Sequence, residues 1–93
     1  MAVLTDAEIQ QALASLSGWQ RNGIAIQRVF RFPDFKLAMQ FVNKVAEAAE
    51  QANHHPDILL HGWNKVRLTL STHSQGGLTE ADFRLAGQID QLA

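Results

Sequence analysis

The sequence predicts an α+β fold: a two-layer α-β-β-α-β-β-α domain, with a four-stranded antiparallel sheet and helices packed on one of its faces. Three observations predict it. Three stretches repeat apolar residues at helical spacing, each behind a capping residue. Two pairs of alternating stretches are joined by short polar turns. Antiparallel hairpins with one apolar face also need a cover on that face, which the helices supply.

The first helix opens at Thr5. Thr5-Asp6-Ala7-Glu8 is a capping box, in which the hydroxyl takes the Glu8 amide and the Glu8 carboxylate reaches back to the Thr5 amide. Leu4 and Ile9 flank it as a staple, Ile9, Leu13 and Leu16 recur at helical spacing, and Ser17-Gly18 closes the segment. Asn22-Gly23 is then the two-residue turn of a first hairpin. Behind it, Ile24, Ile26, Phe30 and Phe32 alternate with Ala25, Gln27, Val29 and Arg31, and Pro33 ends the strand. Asp34 caps a long second helix whose apolar stripe is Ala38, Phe41, Val42, Val45, Ala49 and Ala52, with Lys36, Gln40, Lys44, Glu47 and Gln51 on the wet side. Glu50 falls on the border of that stripe, so its carboxylate points either to solvent, as an ordinary hydrated helix residue, or along the sheet edge. Asn53 to Pro56 terminates the helix, because the residue before a proline avoids helical geometry and proline has no amide hydrogen.

Ile58 to Trp63 and Val66 to Thr72 read as a second hairpin about Asn64-Lys65, with Val66, Leu68 and Leu70 on one face and Arg67, Thr69 and Ser71 on the other. The last helix opens on Thr79-Glu80-Ala81-Asp82, is stapled by Leu78 and Phe83, and turns Leu85, Ala86, Ile89 and Leu92 inward. The 93 residues leave room for a single domain, 1–93, with no linker or tandem repeat.

Composition removes several functional classes. At 46% hydrophobic and 18% charged residues the chain is ordinary globular protein, not a disordered segment. The 8 basic residues are scattered and balanced by 9 acids, so the footprint of direct nucleic-acid binding is missing. With 0 cysteines there are no disulfides, no thiolate metal site and no cysteine nucleophile. The longest apolar run, Met1 to Leu4, is far short of the roughly 18 residues of a membrane span. No signal-peptide core follows it, and the expected location is the cytoplasm.

All 4 histidines, His54, His55, His61 and His73, fall in one window spanning the helix exit and the second hairpin. With Asn64-Lys65 as the turn, Trp63 faces Val66, His61 faces Leu68 and, further out, Pro56 faces His73. That register sets His73 beside His54 and His55, where opposed β-carbons stand about 5 Å apart, and sends His61 to the other face. Imidazoles around one cleft can donate and remove protons near neutrality with no metal. The plainer reading is that His54-His55-Pro56 hydrates a turn. A metal site lacks its usual spacing, since no His-Glu-x-x-His occurs and adjacent histidines seldom share an ion. Asp82 already has a local role as the third residue of a capping box. Trp19 and Trp63 read either as core anchors or as stacking platforms for a flat ring, and Thr72 as a pocket wall or a strand residue.

Glu50-x-x-x-His54-His55-Pro56, then Trp63, His73 and Asp82 at matched gaps, resembles the signature of the pterin-4a-carbinolamine dehydratases. Gly18-Trp19, Asn64-Lys65-Val66, Leu70-Ser71-Thr72-His73 and Gly77-Leu78-Thr79 extend the resemblance over nearly the whole chain. The resemblance implies dehydration of 4a-hydroxytetrahydropterin to quinonoid dihydropterin, the recycling step after an aromatic amino acid hydroxylase, with no cofactor and no metal. It implies His54, His55, His73 and Asp82 as the catalytic set. His54 and His73 would act as general acids toward the 4a-hydroxyl of the two epimers, while His55 would bind and orient the pterin or serve in proton transfer. Glu50, Trp19, Trp63 and Thr72 would bind substrate, Glu50 by accepting pterin hydrogen bonds or supporting a neighbouring imidazolium.

Two other readings share the resemblance: a protein-binding dimerisation module of the transcriptional-cofactor kind, and a dehydratase acting on the pterin of molybdenum-cofactor metabolism. Self-association as a dimer or tetramer is expected, because a short sheet leaves an edge to cover and the Ile24 to Phe32 strand carries long apolar side chains. The partners expected are a small-molecule pterin and a hydroxylase, with neither nucleic acid nor membrane.

Overall fold

A computed structural model describes residues 2–93 of the chain. In order these form α1 (Asp6–Ala14), β1 (Gln20–Asn22), β2 (Ala25–Arg31), α2 (Phe35–Ala52), β3 (Asp57–His61), β4 (Lys65–Leu70), a 3-10 turn (His73–Gln75) and α3 (Glu80–Leu92). The sheet is antiparallel throughout in the order β1-β2-β4-β3. The predicted α+β class and element order are therefore found, with the 3-10 turn as an unforeseen addition.

Local chemistry sets the helix starts. Thr5 caps α1 through the predicted box, its Oγ1 accepting the Glu8 amide at 3.2 Å while Glu8 Oε1 accepts the Thr5 amide at 2.8 Å. Asp34 caps α2 by accepting the Leu37 amide at 2.8 Å. Ala38, Phe41, Val45 and Ala49 of the predicted stripe are buried, and Ala52, at its end, is exposed. The core lies between sheet and helices, with Ile26 and Phe30 of β2 and Val66, Leu68 and Leu70 of β4 against Phe41 and Val45 of α2 and Leu85 and Ile89 of α3. The ring of Phe41 stands 4.8 Å from that of Phe30 and 4.9 Å from that of Phe32.

Both turns differ from expectation. Asn22 pairs with Ala25, so the first loop is Gly23-Ile24 rather than Asn22-Gly23. Gly23 takes the left-handed φ of 63° at the first loop position, which glycine accepts without strain, and Ile24 is left on the surface. In the second hairpin His61 pairs with Lys65 across the loop Gly62-Trp63-Asn64, three residues away from the expected register. An odd shift exchanges the faces of a strand. The expected register would have put His61 and Trp63 on the buried row and Leu60 on the wet one. The observed one aligns Leu60 with Val66 and Phe30, so leucine goes inward. Gly62 and Trp63 both adopt positive φ, at 56° and 60°, to close the loop, and Trp63 ends 60% exposed rather than in the core.

The Pro56–His73 pairing consequently does not form. The ladder ends at Asp57–Thr69 and β4 ends at Leu70. Past it, Thr72 bridges to Gly77 and encloses the 3-10 turn, with Gly76 at φ 72°. The Ile24 to Phe32 segment is also not an edge, since β2 is flanked by β1 and β4; the edges are β1 and β3.

Candidate active site

The C-terminus of α2 and the N-terminus of α3 meet at one end of the molecule, and His54 and Asp82 join them. α2 stops because Asn53 turns left-handed, at φ 50° and ψ 43°. Its amide donates to the Glu50 carbonyl at 3.2 Å and the His54 amide donates to the Ala49 carbonyl at 3.1 Å, the paired bonds of a Schellman ending. His54 is thereby the first residue held beyond the helix, and its side chain is 14% exposed.

On the other side, the capping box at Thr79 places Asp82 in the first turn of α3 with no exposed surface. Asp82 Oδ2 accepts the Thr79 amide at 2.9 Å and the Thr72 hydroxyl at 2.8 Å. Thr72 and Thr79 hydroxyls are 2.8 Å apart. Because Thr72 gives its only hydrogen to Asp82, that of Thr79 points to Thr72, and the chain of donors runs Thr79 to Thr72 to Asp82. Asp82 Oδ1 faces His54 Nε2 at 2.6 Å. A carboxylate only accepts, so the hydrogen in that contact belongs to Nε2 and the ring nitrogen left for other partners is Nδ1. Among the described residues no buried side-chain polar atom lacks a partner, so this network closes on itself.

Two hollows meet at His54. One, of about 330 Å³, is walled by Asn53, His54, Thr72, Ser74 and Gln75, a rim of hydrogen-bonding groups around the 3-10 turn. The other, of about 190 Å³, lies along α3 beside Arg84 and Gln88. Ala52, His54 and Ala81 wall both. A further hollow, of about 350 Å³ between α1 and α3, is lined by Glu8 and Glu80 and has no histidine.

Of the residues singled out from the sequence, the structure gathers His54, Asp82 and Thr72. His55 Nε2 instead bonds Glu50 Oε2 on the exposed surface, away from His54 and Asp82. His73 opens the 3-10 turn, is exposed, and is flanked on both sides by residues of the larger hollow, Thr72 and Ser74. Trp19 is 5% exposed, stands edge-on to Phe30 and donates its indole hydrogen to Asp90, which also pairs with Arg28; it is a core residue in this chain. Trp63 sits at the far end of β3, the length of a five-residue strand or about 17 Å of rise from the histidine end. Thr79 was legible only as a cap. Its hydroxyl points along the buried chain rather than only at its own helix, and the sequence signal for that, a second threonine next to a histidine, is weak. Among the described residues no group of three or more histidines, cysteines or acids is placed to hold a metal. Among the described residues no helix is long and apolar enough to cross a membrane.

The chain matches over residues 2–92 the family model described as Pterin 4 alpha carbinolamine dehydratase. It is 53% identical over 89 residues to a protein of Koribacter versatilis provisionally named pterin-4-alpha-carbinolamine dehydratase, covering 96% of this chain and 94% of that one. A like-named protein of Acidobacterium capsulatum is 54% identical over 92 residues, 99% of each chain. Among solved structures, a transcriptional coactivator/pterin dehydratase from Brucella melitensis superposes with a TM-score of 0.93 at 40% identity over 98% of both chains. A pterin dehydratase-like protein identified as a RuBisCO assembly factor in the α-carboxysome does so at 0.66, with 26% identity over 81% of this chain and 86% of that one.

Proposed function

Because the chain belongs to the pterin 4 alpha carbinolamine dehydratase family, a family of hydro-lyases, we propose that it converts a 4a-hydroxytetrahydropterin to quinonoid dihydropterin and water by histidine acid–base chemistry. The single observation that carries the reading is the His54–Asp82 pair at the mouth of the larger hollow. Dehydration breaks the C4a–O bond, the oxygen leaving as water with one added proton, and the N5 proton passes to solvent, from which the donor is reprotonated. An imidazolium at His54 donates its Nδ1 hydrogen to the departing oxygen, and the neutral ring left behind keeps its Nε2 hydrogen on Asp82. The ring does not have to turn between the two states. Positioned proton transfer of this kind is worth about 10²- to 10⁴-fold. Asn53, Ser74 and Gln75 offer hydrogen bonds to the polar edge of the heterocycle. His73, whose neighbours Thr72 and Ser74 line the same hollow, is in this reading the second proton donor and serves the opposite epimer, and the exposed His55–Glu50 pair orients the substrate.

The test is the decay of a 4a-hydroxytetrahydropterin with the purified chain and a chelator present. We expect decay well above the spontaneous rate, and a loss of about 10²-fold or more in His54→Ala with the fold retained. A wild-type chain that leaves the spontaneous rate unchanged, or a His54→Ala variant at full rate, overturns the reading. The same assay on the pterin of molybdenum-cofactor metabolism separates the two substrate classes.

A protein-binding role is the second reading. It is supported by the description of the Brucella melitensis relative as a transcriptional coactivator and by the exposed Val29, Leu59 and Trp63 of this chain. Self-association belongs to the same face of the proposal, since edge strand β3 leaves Ile58 and Leu59 in water. Recycling of the product for an aromatic amino acid hydroxylase, in the cytoplasm, completes the proposal.

A further inference from the structure

The smaller hollow beside His54 is not needed for the dehydration step. It is walled by Ala52, His54, Ala81, Leu85, Arg84 and Gln88, and its volume of about 190 Å³ is below the roughly 300 Å³ at which pockets for whole small molecules begin. It shares three wall residues with the larger hollow, so the two lie side by side at His54.

Its polar lining is one-sided. Arg21 and Arg28 are paired with Asp6 and Asp90, whereas among the described residues Arg31, Arg67 and Arg84 have no carboxylate partner, and of these three Arg84 lines the hollow. Of the acids on its own helix, Glu80 lines the separate hollow against α1, Asp82 is engaged by His54, Thr72 and Thr79, and Asp90 pairs with Arg28. Gln88, one helical turn on, adds amide donors beside the guanidinium. Ala52, Ala81, Leu85 and His54 form the rest, so this small compartment presents a planar cation with five donors and no carboxylate in its lining. That is the complement of a phosphate or carboxylate, which a guanidinium grips in bidentate fashion.

Resting on the dehydratase reading for the identity of the ring, we propose that this compartment receives the tail of the pterin and that Arg84 selects substrates whose tail ends in an anion. The ring lies in the larger hollow against Nδ1 of His54, and the side chain on the ring passes His54 to reach Arg84. Arg84 is a specificity residue here and takes no part in proton transfer.

The experiment compares two unreactive, fully oxidised pterins that differ only in a terminal phosphate on the side chain, bound to the full-length chain and followed by tryptophan fluorescence or calorimetry. The phosphorylated pterin is expected to bind about tenfold tighter or better, an advantage that shrinks with added salt. In Arg84→Gln the two affinities converge, and Arg84→Lys restores part of the difference, since lysine keeps the charge and loses the fork. Equal affinities in the wild type, a preference that persists in Arg84→Gln, or binding of neither pterin overturns the proposal. Turnover is read separately: activity without phosphate preference removes the compartment and leaves the dehydratase, whereas preference without activity does the reverse.

Discussion

At the scale of single residues, Asp82 ties His54 to α3, and its surroundings decide what a substitution there does. Its Oδ2 side receives two donors, the Thr79 amide and the Thr72 hydroxyl. In Asp82→Asn the amide oxygen must therefore take that side, and the new NH2 faces His54 Nε2. His54 is then forced to accept at Nε2 and carry its hydrogen on Nδ1, the wrong arrangement for the neutral product of proton donation. We expect the folded Asp82→Asn chain to lose about 10²- to 10⁴-fold in dehydratase kcat, measured beside circular dichroism to confirm the fold. Full activity would show that the tautomer does not matter. Glu50→Gln contrasts with it. Its pair with His55 is on the surface, where such contacts are worth about 0 to 1 kcal/mol, so the urea midpoint should barely move. The residues of the site were legible in the sequence as types and spacings, but their partnerships were not. His54 and Asp82 are 28 positions apart, and only the packing of α2 on α3 joins them. Glu50 and His55, five apart across a helix end, are joined by the local turn alone.

At the scale of elements, the ending of α2 aims His54, and it depends on a left-handed Asn53. Asn53→Gly should be neutral within a few tenths of a kcal/mol, whereas Asn53→Ala puts a β-carbon into that conformation and should cost about 1 to 2 kcal/mol in urea unfolding. An alanine variant as stable as wild type would mean that the helix ends differently in solution. Caps were the most readable feature of this chain, because Thr5, Asp34 and Thr79 act over three residues and need no tertiary partner. Hairpin registers were the least readable. Asn22-Gly23 and Asn64-Lys65 both carry turn chemistry, yet the loops close at Gly23-Ile24 and Gly62-Trp63-Asn64. In the second case burial of Leu60 in place of His61 chooses the register, a comparison that appears only once the core exists. The expected approach of His73 to His54 rested on a strand pairing that does not form; beyond the Thr72–Gly77 bridge His73 is exposed, and its neighbours Thr72 and Ser74 line the hollow while it does not.

At the scale of the whole molecule, one core serves both layers, so the site and the fold stand together. Leu68 is fully buried at the centre of the sheet, and Leu68→Ala should cost about 2 to 5 kcal/mol, a large part of the roughly 5 to 15 kcal/mol available to a domain. The loss is read in urea unfolding, and a cost under 1 kcal/mol would contradict this view of the core. Static light scattering at micromolar concentration should give a mass above the 10.3 kDa of one chain; a clean monomer would reject self-association through the exposed edge. The class of the fold was legible because apolar periodicity reports which face is buried. The neighbour relations β1-β2-β4-β3, which put β2 inside the sheet, were not.

The most direct measurement is the nitrogen-15 spectrum of His54 in the full-length chain, recorded free and with an unreactive oxidised pterin bound. The neutral ring should carry its hydrogen on Nε2, and the pterin should perturb Nδ1 while the contact to Asp82 stays in place. A hydrogen found on Nδ1, or a pterin that leaves the His54 ring unmoved, would contradict the assignment of this histidine as the proton donor.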